Sequence, residues 1–123
     1  MSFTIPDNLR YTDEHEWIDP ETGWMGITDF AQDELGDIVF VDLPDEGREV
    51  DAMDPFMVVE SVKAVSDVYA PADGTVDELN SSIEDQPEKV NESPYDDGKF
   101  VKFSIDGDLD QLMDAEEYRD HIS

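Results

Sequence analysis

Phe56-Met57-Val58-Val59-Glu60-Ser61-Val62-Lys63-Ala64-Val65-Ser66-Asp67-Val68-Tyr69-Ala70-Pro71 is the stretch on which the fold turns. It is rich in Val, Phe and Tyr, which suit a pleated, half-buried surface, and predicts two strands, Phe56 to Val62 and Val65 to Ala70. Between them stands one of only four lysines in a chain of 34 acidic residues. Such a lysine either lifts its ammonium to water on its alkyl stem or presents an amine for chemistry. Taken alone, an edge lysine that discourages sheet-to-sheet aggregation is the simpler account. Val62-Lys63-Ala64 lacks the Gly, Asn or Pro that announces a hairpin, although a type I turn tolerates these residues.

Working outward, strand-length runs recur at His15 to Asp19, Trp24 to Thr28, Ile38 to Leu43, Thr75 to Leu79 and Phe100 to Ile105. Pro20 to Gly23, Pro44 to Gly47, Pro71 to Gly74 and Asp96 to Gly98 supply the breaks. The predicted fold is mainly β, antiparallel strands in a small sandwich or barrel. A short internal helix is expected at Asp29 to Leu35, with Asp29 and Gln32 as a capping box and Gly36 as its stop. A C-terminal helix is expected at Leu109 to Ile122, opening after Asp108 and covering the sheet. Ser81 to Pro94 reads as an ordered loop with one helical turn near Pro87 to Val90.

A chain of 123 residues has the size of one domain, spanning residues 1–123. Its net charge of −27 opposes binding to nucleic acid or to an anionic membrane. No cysteine is present, which removes disulfides, thiolate metal sites and a cysteine nucleophile. With no secretory leader pattern and no membrane-length apolar run, the expectation is a cytoplasmic protein. A monomer is expected. Asp106, Asp108, Asp110, Asp114 and Glu117 mimic a calcium-loop spacing, but Gln111 stands where glycine is needed and a strand precedes them, so an acidic helix start is expected. His15 and His121 lack a nucleophile motif; His15 reads as structural or surface, and Trp17 and Trp24 as core aromatics.

Val58-Val59-Glu60-Ser61-Val62-Lys63-Ala64-Val65-Ser66-Asp67-Val68-Tyr69-Ala70-Pro71-Ala72-Asp73-Gly74-Thr75-Val76 resembles the lipoyl-lysine hairpin of the glycine cleavage system H protein family. Leu9 to Trp17, Gly26 to Gln32, Leu35 to Pro44 and Val90 to Tyr95 are similar to further signatures of that family, in the same order. The resemblance implies a single lipoyl-binding domain of the lipoyl/biotinyl-carrier type, a carrier and not an enzyme, with lipoate amide-linked to Lys63. It implies the partners too. A glycine decarboxylase (P protein) leaves an aminomethyl group on the arm, an aminomethyltransferase (T protein) takes it, and dihydrolipoyl dehydrogenase (L protein) reoxidises the arm. A lipoate ligase or lipoyl transferase attaches the cofactor. Glu16 and Asp67, in the matching motifs, are the expected contacts of the cationic loaded arm. Glu60, with Ser61, Val62 and Ala64, is the expected recognition surface around the modified lysine. One departure is Gly98-Lys99-Phe100, where family members commonly have Gly-Trp, and it places one packing contact by the last strand in question.

Rival readings are weaker on the residues. Biotinyl carriers have methionines flanking the lysine, here Val62 and Ala64, and lipoyl domains of 2-oxo acid dehydrogenases lack an opening like Glu14-His15-Glu16-Trp17. A Schiff-base lysine wants an apolar pocket or a nearby cation, whereas Glu60 and Asp67 flank Lys63. An acidic interaction module without a cofactor is the third alternative. The acidity itself points to a halophile's cytoplasm. From surface scaling, neighbouring carboxylates stand on the order of 14 Å apart. The screening length is about 10 Å at 0.1 M salt and about 3 Å at 1 M, so only concentrated salt silences the repulsion. Thermal melts over a KCl series test this: the melting temperature is expected to climb from dilute to molar salt, and a flat profile favours acidity selected for a basic partner.

Overall fold

The computed structural model describes residues 2–123. Nine strands form two antiparallel sheets. The larger contains β1 (Arg10–Tyr11), β2 (Glu16–Ile18), β3 (Trp24–Ile27), β5 (Glu49–Val50), β8 (Gly74–Leu79) and β9 (Val101–Ile105), in the order β1-β2-β3-β9-β8-β5. The smaller contains β4 (Ile38–Asp42), β6 (Pro55–Ser61) and β7 (Val65–Tyr69), in the order β4-β6-β7. The sheets stay open, so the sandwich half of the expectation holds and no closed barrel forms. Ile18, Met25, Val41, Phe56, Val59, Val68, Val76 and Phe103, drawn from both sheets, share one buried core. The alternation is plain in the smaller sheet, where Val41, Val59 and Val68 face inward.

Helix α1 (Asp29–Leu35) has the expected span, but its cap is Thr28, whose hydroxyl accepts from the Ala31 N–H. Asp29 instead accepts from the Gln32 side chain at 3.0 Å. Gly36 ends the helix with φ 82°, a backbone angle that suits glycine. The 81–94 loop holds two short helices, α2 (Ser82–Asp85) and α3 (Glu88–Glu92), where one turn was expected. Among the described residues no helix is long and apolar enough to cross a membrane.

The C-terminal helix α4 (Ala115–Ile122) starts later than the apolar pattern predicts. Met113 exchanges two backbone hydrogen bonds with Tyr11, which holds it extended, and Asp114 and Glu117 then close a reciprocal capping box. Those two acids of the calcium-like spacing are thus engaged in capping. The helix covers a second cluster built on Ile5, Leu9, Tyr11, Trp17, Ala115 and Tyr118. Tyr11 and Tyr118 stack at 4.7 Å. Trp17 is in this cluster, with its indole N–H on the Pro94 carbonyl, whereas Trp24 is only half-buried under the Lys99 ammonium, 5.0 Å from its ring. That cation–π contact occupies the place where the family departure lies.

The buried Tyr118 hydroxyl lies 2.7 Å from Thr28 Oγ1 and 2.8 Å from His15 Nδ1, tying α4 to the cap of α1 and to the turn before β2. Tyr118→Phe keeps the ring and removes both bonds, and is expected to cost about 1–3 kcal/mol in denaturant unfolding at fixed high salt, with an unchanged m-value.

Candidate functional site

β6 and β7 form a hairpin whose pairing runs out to Glu60 with Val65, leaving Ser61 to Ala64 as the connection. Glycine and asparagine are absent because none of these residues takes a positive φ; among non-glycine described residues only His15 and Met53 do. Ser61 organises the turn instead. Its hydroxyl oxygen accepts from the N–H of Lys63 at 3.3 Å and of Ala64 at 3.1 Å, and its own N–H donates to the Ala64 carbonyl at 2.8 Å. The Val62 N–H donates to the Asp37 carbonyl at 3.0 Å, anchoring the tip to the start of β4. Val62, Lys63 and Ala64 are exposed, and Lys63 has no ion-pair partner among the described residues.

The lysine stem lies along Gly36, where a β-carbon would sit 3.4 Å from its Cε. Asn91 fixes this platform: its amide donates to the Gly36 carbonyl at 2.8 Å and to Gln32 Oε1 at 3.0 Å, while its oxygen accepts from the Ile38 N–H at 2.8 Å. Asn91 lies in the quoted Val90 to Tyr95 motif, but its joining of α1 to β4 beneath Lys63 was not anticipated. Only a tertiary contact spanning more than fifty residues shows it.

Beside this platform opens a cleft of about 330 Å³. Glu14, His15, Glu16, Glu34, Leu35, Val65, Asp67 and Tyr69 are among its walls, so four carboxylate residues face one space. The structure therefore brings Glu16 and Asp67, predicted from separate motifs, to the same cleft. Asp67, on the edge strand β7, also borders a second groove next to Arg48 and Val58. Glu60 does not line the cleft; it pairs with Phe40 and Val65 on the outer face of the smaller sheet. His15, with φ 72°, is held by Tyr118, and burial together with nearby His121 lowers its affinity for a proton.

Glu16 is 2% exposed and has no cationic partner among the described residues. Thr12 Oγ1 donates to Oε1 at 2.5 Å and the Tyr69 N–H to Oε2 at 3.2 Å. Burial outweighs both hydrogen bonds and pushes the carboxyl up from 4.5 to about 8. The folded chain thus binds a proton here that the unfolded chain has released, and the stability from this site is lost as pH rises from 4.5 towards about 8. Glu16→Gln is neutral at every pH. Its melting temperature relative to wild type is expected to rise by at least about 5 °C between pH 5 and pH 9, a few kcal/mol in a domain of this size. A difference that does not change with pH refutes the assignment.

Comparison with known proteins agrees with this geometry. A family model described as "Glycine cleavage H-protein" matches residues 9–123. A probable glycine cleavage system H protein of Halobacterium salinarum is 52% identical over 124 residues, spanning all of both chains. The glycine cleavage system H protein of Oceanobacillus iheyensis is 51% identical over 97% of this chain and 98% of its own. The crystal structure of a glycine cleavage system H protein from Mycobacterium marinum superposes with a TM-score of 0.86 at 38% identity, covering 96% of this chain and 98% of that one. Both the sequence match over nearly its full length and the shared two-sheet architecture lead to one conclusion: the chain belongs to the glycine cleavage H-protein family, carriers of lipoate in the glycine cleavage system and not catalysts.

Proposed function

We propose that lipoate is amide-linked to Lys63, and that the chain carries the aminomethyl group from glycine decarboxylase (P protein) to the aminomethyltransferase (T protein), with dihydrolipoyl dehydrogenase (L protein) restoring the arm. The observation that carries this reading is an exposed lysine at the tip of the β6–β7 turn, beside a cleft walled by carboxylates. When bound, lipoate supplies a dithiolane on a long flexible chain, and its sulfurs take up and give back the one-carbon amine.

The chain's own residues have positional and electrostatic tasks. Ser61 and Asp37 hold the turn so that the lysine stem leaves the sheet at one place. Glu16 and Asp67 offer negative charge to a cationic amine lying in the cleft. A cation beside Glu16 favours its ionised form, so an arriving amine displaces the proton that burial otherwise keeps there. Glu60, Val62 and Ala64 form the immediate surface that a lipoate ligase or lipoyl transferase meets, whereas Ser61, expected there too, is buried and acts by shaping the turn beneath them. The proposal includes a monomeric carrier in the cytoplasm.

The alternatives make different predictions. A carrier of another complex would take lipoate or biotin but fail with glycine decarboxylase, and an acidic interaction module would work without Lys63. Intact mass spectrometry after incubation with lipoate and a lipoylating enzyme is expected to show one lipoyl addition, absent in Lys63→Arg. Glycine decarboxylation with the P protein is expected to fall to background in the same variant. Activity in unmodified Lys63→Arg protein contradicts the proposal.

A further inference from the structure

Five large apolar side chains are exposed among the described residues, and four of them, Val39, Phe40, Val62 and Val65, surround the Lys63 turn. Their exposures are 53%, 47%, 69% and 68%. The register explains why they meet. Phe40 pairs with Glu60 and Glu60 with Val65, so the three stand in one row on the outer face of the smaller sheet. Val39 lies in the irregularity between Ile38 and Phe40, and Val62 is in the turn itself. The next row outward is Asp42, Val58 and Asp67, whose two carboxylates close the patch on that side.

On a chain with 34 acidic residues, such a concentration of exposed apolar groups marks a contact surface. We infer that this patch, with Val39 and Phe40 on the edge strand β4 and Glu60 standing between Phe40 and Val65, seats the enzyme that joins lipoate to Lys63, and that this partner meets it with an apolar surface rimmed by basic groups. The inference rests on the reading of Lys63 as the attachment residue. Of the partners that reading implies, the amide-forming enzyme must bring its catalytic groups to the lysine nitrogen itself; the others act at the far end of a long arm. In that step the Lys63 nitrogen attacks the carbonyl of an activated lipoyl acyl donor. The ammonium first gives one proton to solvent to become the attacking amine; the new C–N bond forms as the acyl–leaving-group bond breaks, the leaving group keeps the electron pair, and a second proton goes to solvent, leaving the amide N–H.

The acidic rim fits a basic collar, but in molar salt charges more than about 3 Å apart are screened, whereas apolar association is not weakened. The exposed apolar side chains are then the part of the surface that retains its grip.

The test uses the full chain with Val39→Ser and Phe40→Ser together, a lipoate ligase with lipoate and ATP, and molar KCl, with lipoylation followed by intact mass. The carrier concentration for half-maximal rate is expected to rise roughly tenfold, equivalent to losing one good interface contact, while kcat and the melting temperature stay near wild type. Double variant lipoylated to completion is expected to support glycine decarboxylation with wild-type KM. Wild-type lipoylation kinetics overturn the inference. An equal defect in decarboxylation assigns the patch to the decarboxylase, and a wild-type dimer that the double variant dissolves, seen by sedimentation, assigns it to a second copy; either also overturns it. Lys63→Arg separates the two levels: a lipoyl mass gain in that variant sinks the attachment reading, whereas no gain there with wild-type labelling of the double variant sinks only the patch.

Discussion

One hydroxyl holds the exposed lysine in place. Ser61 accepts from two successive backbone N–H groups of the turn and leaves the residues between the strands in ordinary right-handed or extended backbone. That is why the turn needs no left-handed residue, and neither Gly nor Asn stands at Lys63 or Ala64. Everything beneath is arranged to keep the turn in register: the Val62 bond to Asp37, the β4–β6 pairing, and Asn91 joining α1 to β4. A carrier needs its arm to leave from a fixed point, because the arm supplies all the motion.

The second constraint is electrostatic. Among the described residues only two ion pairs form, Lys102–Glu78 and Arg119–Asp7, both at least partly exposed. Acidic groups therefore remain largely without fixed partners, and exposed pairs of this kind add little stability. Glu16 is the extreme case: buried, hydrogen-bonded, without a cation, and protonated near neutrality. Such a site is costly to the fold as an ion and well matched to a ligand that brings its own positive charge. Four carboxylate residues line one cleft beside the exposed Lys63 turn.

Much of this was legible in the chain. Apolar runs bounded by Pro and Gly located seven of the strands to within a residue or two at either end, and Gly36 marked the end of α1. The two-residue strands β1 and β5 escaped because pairs such as Arg10–Tyr11 and Glu49–Val50 carry no periodicity of their own. The start of α4 was misjudged because Leu109, Leu112 and Met113 continue a helical pattern, while the backbone of Met113 is claimed by Tyr11 across the chain. Trp24 looked like core and lies under Lys99, since a side chain's depth depends on what covers it. Of the site, Lys63 was visible as an anomaly of composition and Glu16 and Asp67 through motif resemblance, but no local signal pointed to Asn91 or to the apolar company of Val39 and Phe40.

By itself the sequence determined the β class, the hairpin around Lys63, the family and the acidic surface, because alternation, turn residues and charge are local properties that can be counted along a chain. Tertiary structure alone decided that Glu16 is buried, which pushes its carboxyl up to about 8, that it shares a cleft with Asp67, that Tyr118 ties α4 to the cap of α1, and that the exposed apolar residues gather at the tip. Each of these depends on distances between residues far apart in sequence, and burial and proximity set electrostatic energies that no residue carries alone.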